Sequence, residues 1–180
     1  MASASSAPAA KAKRRRGVLN LEAQFAFFRS QHRHPVNAAA HALLTWPILF
    51  TNLLALQFLP SPLDPALALA LAYAAAYLAV DRRAGALAGA LFLAGWAASR
   101  AIAARVGFGV AWRWVVATQK RGPAVSDLPE VFLMEPFLIL LQILNKQFGY
   151  EPYPGFMKNV DKMEADLREE SRGLKQSKVA

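Results

Sequence analysis

The sequence predicts an all-α protein, a multi-pass integral membrane helical bundle with about four to five membrane segments, one of them truncated. Composition is the first ground: of 180 residues, 55% are hydrophobic and only 18% are charged, to either side of the soluble norm. The second is that the apolar residues collect in runs long enough, at about 1.5 Å per helical residue, to approach a hydrocarbon core of about 30 Å. The third is that proline turns and paired charges separate those runs.

The opening "MASASSAPAAKAKRRR", residues 1–16, is small, polar and basic, which predicts a disordered basic N-terminus. Its basic cluster lies far from the first long apolar run, so it does not read as a signal peptide. An acid-free, Ser/Ala-rich, Arg-bearing start also fits an organelle transit sequence, which keeps a plastid or other organelle membrane as the alternative location. Residues 17–156 are expected to form the membrane helical domain.

Within that domain, "NAAAHALLTWPILFTNLLALQFL" at residues 37–59 is a full span. The turn "PSPLDP" leads to "ALALALAYAAAYLAV", a short second span that ends at the charged break "DRR". A third span, "AGALAGALFLAGWAA", carries Gly85, Gly89 and Gly95, which suit close helix approach. The fourth run, residues 106–118, has 13 residues and contains Arg113, so it is too short to cross alone. The fifth, residues 128–144, is apolar but holds Glu130, Glu135 and two prolines. Past the turn "GYEPYPGF", residues 157–180 predict a charged amphipathic C-terminal helix with a narrow stripe of Val160, Met163 and Leu167, lying on the bilayer or on its own domain. Lys and Arg crowd residues 11–33 and are absent from residues 60–65, which puts the N-terminus in the cytosol.

Composition also excludes chemistries. Without cysteine there are no disulfides, thiolate metal sites or cysteine nucleophiles. The net charge of +9 is spread between apolar runs, so no nucleic-acid partner is expected, and the bilayer is the partner the composition does imply. A transporter would want ionisable groups along several spans, and spans one to three offer almost none beyond His41.

All three histidines, His32, His34 and His41, lie in "QHRHPVNAAAH" at the edge of the first span. Pro35 is suited to the first position of a helix and pushes His34 out of the helical region, so His32 and His34 are expected on an extended lead-in. Asn37 and His41 then share one helical face. Imidazoles with few carboxylates nearby favour iron, zinc, copper or nickel over calcium or magnesium. The plainer alternative makes His32 and His34 interfacial side chains of a basic flank and His41 a satisfied polar group between helices. Glu135, an acid inside an apolar run, either replaces a metal ligand, faces water or pairs with Arg113. Asp127, before Pro129, suits a helix cap.

Three stretches, "LNLEAQFAFFRSQHRHPVNAAAHALLTWPILFTNLL", "DRRAGALAGALFLAGWAASRAIAARVGFGVAWRWVVATQ" and "KRGPAVSDLPEVFLMEPFLILLQILNKQFGYEPYPGF", resemble the endoplasmic-reticulum 2-hydroxy fatty acid dioxygenases that act in converting phytosphingosine to odd-numbered fatty acids, and the plant and algal branch above others. The resemblance covers residues 19–157 and implies an endoplasmic-reticulum membrane enzyme. Its cofactor would be Fe(II), and its substrates molecular oxygen and a 2-hydroxy long-chain acid shortened by one carbon. It carries over His32 and His41 as iron ligands and Asn37 as a supporting hydrogen-bond partner, with His34 a less constant member of the metal set. One departure stands out: the family's Gln-Phe-x-Gly-His segment is missing between Gln119 and Lys120. Its loss removes a family ligand and accounts for the stunted fourth run, so the resemblance implies either an impaired dioxygenase or a catalytically silent scaffold or lipid-binding protein of the same fold.

Overall fold

A computed structural model of the protein describes residues 20–32, 35–119 and 128–176. Those residues form seven helices and no strand: α1 (Leu21–Gln31), α2 (Pro35–Leu56), α3 (Pro65–Val80), α4 (Arg82–Ala103), α5 (Phe108–Gln119), α6 (Leu128–Phe148) and α7 (Phe156–Gln176). The all-α expectation holds. Their contacts define two compact units, one containing α1 and α7, the other running from Val36 to Tyr150 and containing α2 to α6. That grouping cuts the chain differently from the 1–16, 17–156 and 157–180 division read along the sequence.

In the first unit, Asn20 caps α1 by accepting the Ala23 amide at 3.1 Å, and Glu22 and Arg29 stand at the helix ends where the dipole favours them. Leu21, Phe25 and Phe28 recur at helical spacing and are buried, and the Phe25 ring meets Phe156 of α7 at 5.8 Å. The charged helix α7 packs here along Phe156, Val160 and Glu164, with Met163 and Leu167 half-buried beside them. Of the two expectations for this helix, lying on its own domain is the one observed. The buried Glu164 is held by Arg168 at 2.6 Å and Arg29 at 3.4 Å, while Arg29 also reaches Asp161 at 2.8 Å. Glu22 accepts from the Tyr153 hydroxyl and from Asn159.

The second unit is built on the α3/α4 hairpin. Asp81 ends α3 and starts α4, giving its backbone N–H to Tyr77 and accepting the Ala84 amide at 2.6 Å, so the turn needs a single residue. Tyr150 donates to the same carboxylate at 2.8 Å, and burial, then that carboxylate, push its hydroxyl pKa up. Ala66, Ala70, Tyr73, Ala74 and Tyr77 bury against Ala84, Gly85, Ala88, Gly89 and Phe92. A Cβ on Gly85 would lie 2.2 Å from the Tyr77 carbonyl oxygen and one on Gly89 3.0 Å from the Ala74 Cβ, so two of the three glycines of this run serve close approach as expected. Gly95 faces more room, with the Leu53 Cδ1 3.5 Å from its Cβ position. Tyr73 stacks on Phe92 at 4.4 Å, and Tyr77 stacks on Phe137 of α6 at 5.0 Å. Polar side chains join the apolar helices where they meet: Thr51 with Thr118 at 2.9 Å, and Gln57 with Ser99 at 3.1 Å.

Among the described residues, two helices are long and apolar enough to cross a membrane, Ala39–Leu56 and Arg82–Ala103. α3 has 16 residues and falls short of the length of a typical span, which narrows the three spans read from the sequence. The fourth run forms a helix of 12 residues, too short to cross, as its sequence required.

Candidate metal centre

α2 begins at Pro35, the position the sequence assigned to a helix start, because proline fixes φ and needs no amide partner in the first turn. Asn37 and His41 are therefore one turn apart on a continuous helix. The Asn37 side chain, His34, Lys120 and Asp127 lie outside the described residues.

His41 meets Glu135 of α6, its Nδ1 2.6 Å from the carboxylate Oε1. The imidazole is half-buried and the carboxylate 15% exposed, so the contact is partly shielded from water. Glu135 thus pairs with His41 and not with Arg113. Arg113 is exposed on α5 and gives its Nε–H to the Gly109 carbonyl at 3.2 Å, within its own helix. The sequence signal for the pair was present in both halves, since a histidine in one apolar run and an acid in another can lower their shared cost by meeting.

The placement of Glu135 follows from its neighbours. Met134, Pro136 and Phe137 are buried, fixing that turn of α6 in the unit's core. Pro136 cannot continue the amide ladder and loosens the carbonyls of the preceding turn. The Tyr77 hydroxyl donates to one of these, Leu133, at 2.6 Å. α2 carries an internal proline as well, Pro47.

His32 belongs to the first unit. It is the C-cap of α1, with φ −106° and ψ 47°, and its backbone N–H reaches the Phe28 carbonyl at 3.1 Å. The expected extended lead-in is therefore corrected at this residue: α1 runs up to it, and the amphipathic pattern of Leu21, Phe25 and Phe28 behind Asn20 was the sequence signal for that helix. Its ring lies on Phe28 at 4.4 Å, and its Nδ1 is 2.9 Å from the Phe28 carbonyl oxygen.

Both rings carry the same information about protons. A carbonyl or carboxylate oxygen only accepts, so Nδ1 carries a proton in His32 and in His41, and when either ring is neutral its lone pair is on Nε2. An imidazole whose Nδ1–H is held by an oxygen is the usual state of a metal-binding histidine. The His41–Glu135 pair brings together an imidazole and a carboxylate, both of them donor types that could hold a metal ion.

Between α2 and α4 lies a cavity of about 400 Å³ lined by Trp46, Pro47, Phe50, Leu53, Phe92 and Gly95 among others. No charged side chain lines it. Such a space takes an alkyl chain and offers a polar ligand nothing to bond.

The chain matches no curated protein and no solved structure. The stretch that holds α1, the oxygen-held histidines, the apolar cavity and the whole of α6 is nonetheless matched from end to end, at residues 18–148, by the family model of 2-hydroxy-palmitic acid dioxygenase Mpo1-like proteins, and the chain belongs to that family.

Proposed function

We propose that this protein is an Fe(II)-dependent dioxygenase of the endoplasmic-reticulum membrane that shortens 2-hydroxy long-chain fatty acids by one carbon, in the breakdown of sphingolipid-derived chains. The observation that carries the reading is the carboxylate-held imidazole of His41 in a chain of the 2-hydroxy-palmitic acid dioxygenase Mpo1-like family. His41 is the first iron ligand, through Nε2. His32 is assigned as the second on the sequence ground of its place nine residues earlier, with His34 and Asn37 as supporting members of the same segment.

Ferrous iron, when bound, supplies the one-electron chemistry that lets dioxygen react with a closed-shell acid. The reaction balances as one 2-hydroxy acid and one O₂ giving the acid one carbon shorter, one CO₂ and one water. The substrate itself provides the electrons, so no further reductant is required. Its carboxylate and 2-hydroxyl form a two-oxygen chelating head, and its alkyl tail suits the uncharged cavity of Trp46, Phe50, Leu53 and Gly95. Each ring's Nδ1–H stays on its own oxygen partner, which orients the ring and leaves Nε2 as the nitrogen that would face the metal.

Membrane residence is supported by the two helices of spanning length, whose apolar windows are only 24% and 22% buried inside the protein. Core helices of a soluble protein would bury most of that surface. Leu71, Leu78, Leu87, Leu91, Trp112 and Trp114 are exposed, as side chains facing lipid would be. The Lys/Arg asymmetry sets the N-terminus in the cytosol.

The test is to purify the full chain in detergent, add ferrous iron anaerobically, admit oxygen with 2-hydroxypalmitate, and analyse lipids and bound metal. One iron per chain and pentadecanoic acid are the expected results. Neither iron nor a shortened product, beside an active relative that retains the Gln-Phe-x-Gly-His segment, would leave a silent scaffold of the same fold as the correct description.

A further inference from the structure

We infer that Glu135 is a positioning residue, a carboxylate outside the metal's own ligand set that grips Nδ1–H of His41 and aims its Nε2 lone pair at the ion. This deepens the proposed function and rests on it for the presence of the metal. The alternative role, a carboxylate bonded directly to iron, is the one an acid in a histidine-rich site first suggests.

The geometry separates the two. The Nδ1–Oε1 distance of 2.6 Å is that of a strong hydrogen bond to a charged acceptor, and an imidazole nitrogen engaged in it carries a proton and has no lone pair for a metal. Coordination by His41 then proceeds through Nε2, on the far side of the ring from Glu135. The carboxylate acts through the imidazole by fixing its tautomer, restricting its rotation and raising the basicity of Nε2. Arg113, the cation the sequence offered as a partner, instead gives its Nε–H to the Gly109 carbonyl along α5.

Rigidity supports the assignment. A positioning group must itself be held, and Glu135 projects from a turn locked by buried Met134, Pro136 and Phe137 and by the Tyr77 hydroxyl on the Leu133 carbonyl. His41 is the more exposed partner, at 45% against 15%, so the anchored group is the carboxylate and the group it steadies is the ring. A carboxylate here also places a negative charge next to the imidazole, which increases its donor strength toward a dication.

Two measurements test this on the full chain in detergent. In the metal-free protein, ¹⁵N NMR of labelled histidine should show His41 with Nδ1 protonated and Nε2 bare. That tautomer should persist in Glu135→Gln, whose amide oxygen still accepts the proton, and become a mixture in Glu135→Ala. Cobalt(II), added anaerobically as the spectroscopic probe, should bind the parent protein at one per chain. Its affinity should fall about 10- to 100-fold in Glu135→Ala and be partly restored in Glu135→Gln, with the ligand-field bands keeping their positions. Equal cobalt affinity in the parent and Glu135→Ala overturns the inference, as does a shift of the bands in Glu135→Gln that signals a lost carboxylate ligand. A parent protein that takes up no cobalt removes the iron reading instead. The tautomer then still decides the role of Glu135 toward His41, and a bare Nδ1 in the parent rejects it.

Discussion

His41 Nδ1 and Glu135 Oε1 lie 2.6 Å apart although 94 positions separate them in the chain, so one contact ties the helix of the first apolar run to that of the fifth. Each group is costly among apolar helices, and each removes much of the other's cost. Deleting one member should therefore hurt more than deleting both. His41→Leu leaves a mostly buried carboxylate without its donor and is expected to destabilise the protein by about 1–3 kcal/mol. The double change His41→Leu with Glu135→Leu should recover most of that loss, while neither variant binds ferrous iron. Thermal unfolding in detergent with parallel metal analysis checks the cycle, and strictly additive losses would show that the pair does not couple.

Gly85 makes a second quantitative case. A methyl group there would meet the Tyr77 carbonyl oxygen at 2.2 Å, and that carbonyl is backbone at the end of a helix, unable to rotate away. Gly85→Ala should cost about 1–3 kcal/mol by forcing α3 and α4 apart. Gly95→Ala, whose Cβ would make an ordinary 3.5 Å contact with Leu53, should stay within about 0.5 kcal/mol of the parent protein. Melting temperatures in one detergent compare the two.

Much of this architecture was readable along the chain because the physics that sets it is local. Pro35 at a helix start and the helix breaks at residues 60–65 and 81 follow from backbone chemistry a few residues wide. The segment 21–31 was less legible, since its Phe-rich stripe is stabilised by α7, more than a hundred residues later. The same gap hid the partner of Glu135. Which residue an acid pairs with depends on how α2 and α6 pack, and Arg113 seemed nearer only because it is nearer in sequence. The length test behaved in the same way, separating α2 and α4 from the shorter α3 without saying what surrounds them.

Acid should act on the turn before α3. The Leu67 amide, then the Trp96 indole N–H at 2.9 Å, hold the Asp64 carboxyl below its ordinary value of 3.8, with Arg100 contributing less. A carboxyl whose folded pKa is depressed contributes stability that is fully present above its unfolded pKa and is lost as pH falls through the folded one. The difference in melting temperature between the parent and Asp64→Asn should accordingly be constant between about pH 5 and 8 and shrink below about pH 4. A difference that instead grew on acidification would mean that the carboxyl is disfavoured in the folded protein.

The cavity between α2 and α4 gives the proposed activity a length dependence. Gly95 lies in its wall, and the Leu53 Cδ1 stands 3.5 Å from the Cβ position, so a larger side chain grows into the space an alkyl tail would use. Gly95→Leu should lower kcat/KM for 2-hydroxypalmitate by about 10- to 100-fold, the cost of roughly one misfitted methylene or somewhat more, and spare a substrate several carbons shorter. Bound iron should be unchanged, because residue 95 touches neither His41 nor Glu135. Competition between 2-hydroxy acids of different length in one reaction reads the ratio directly. A uniform loss across all lengths would place the tail elsewhere, and the cavity would then hold only membrane lipid.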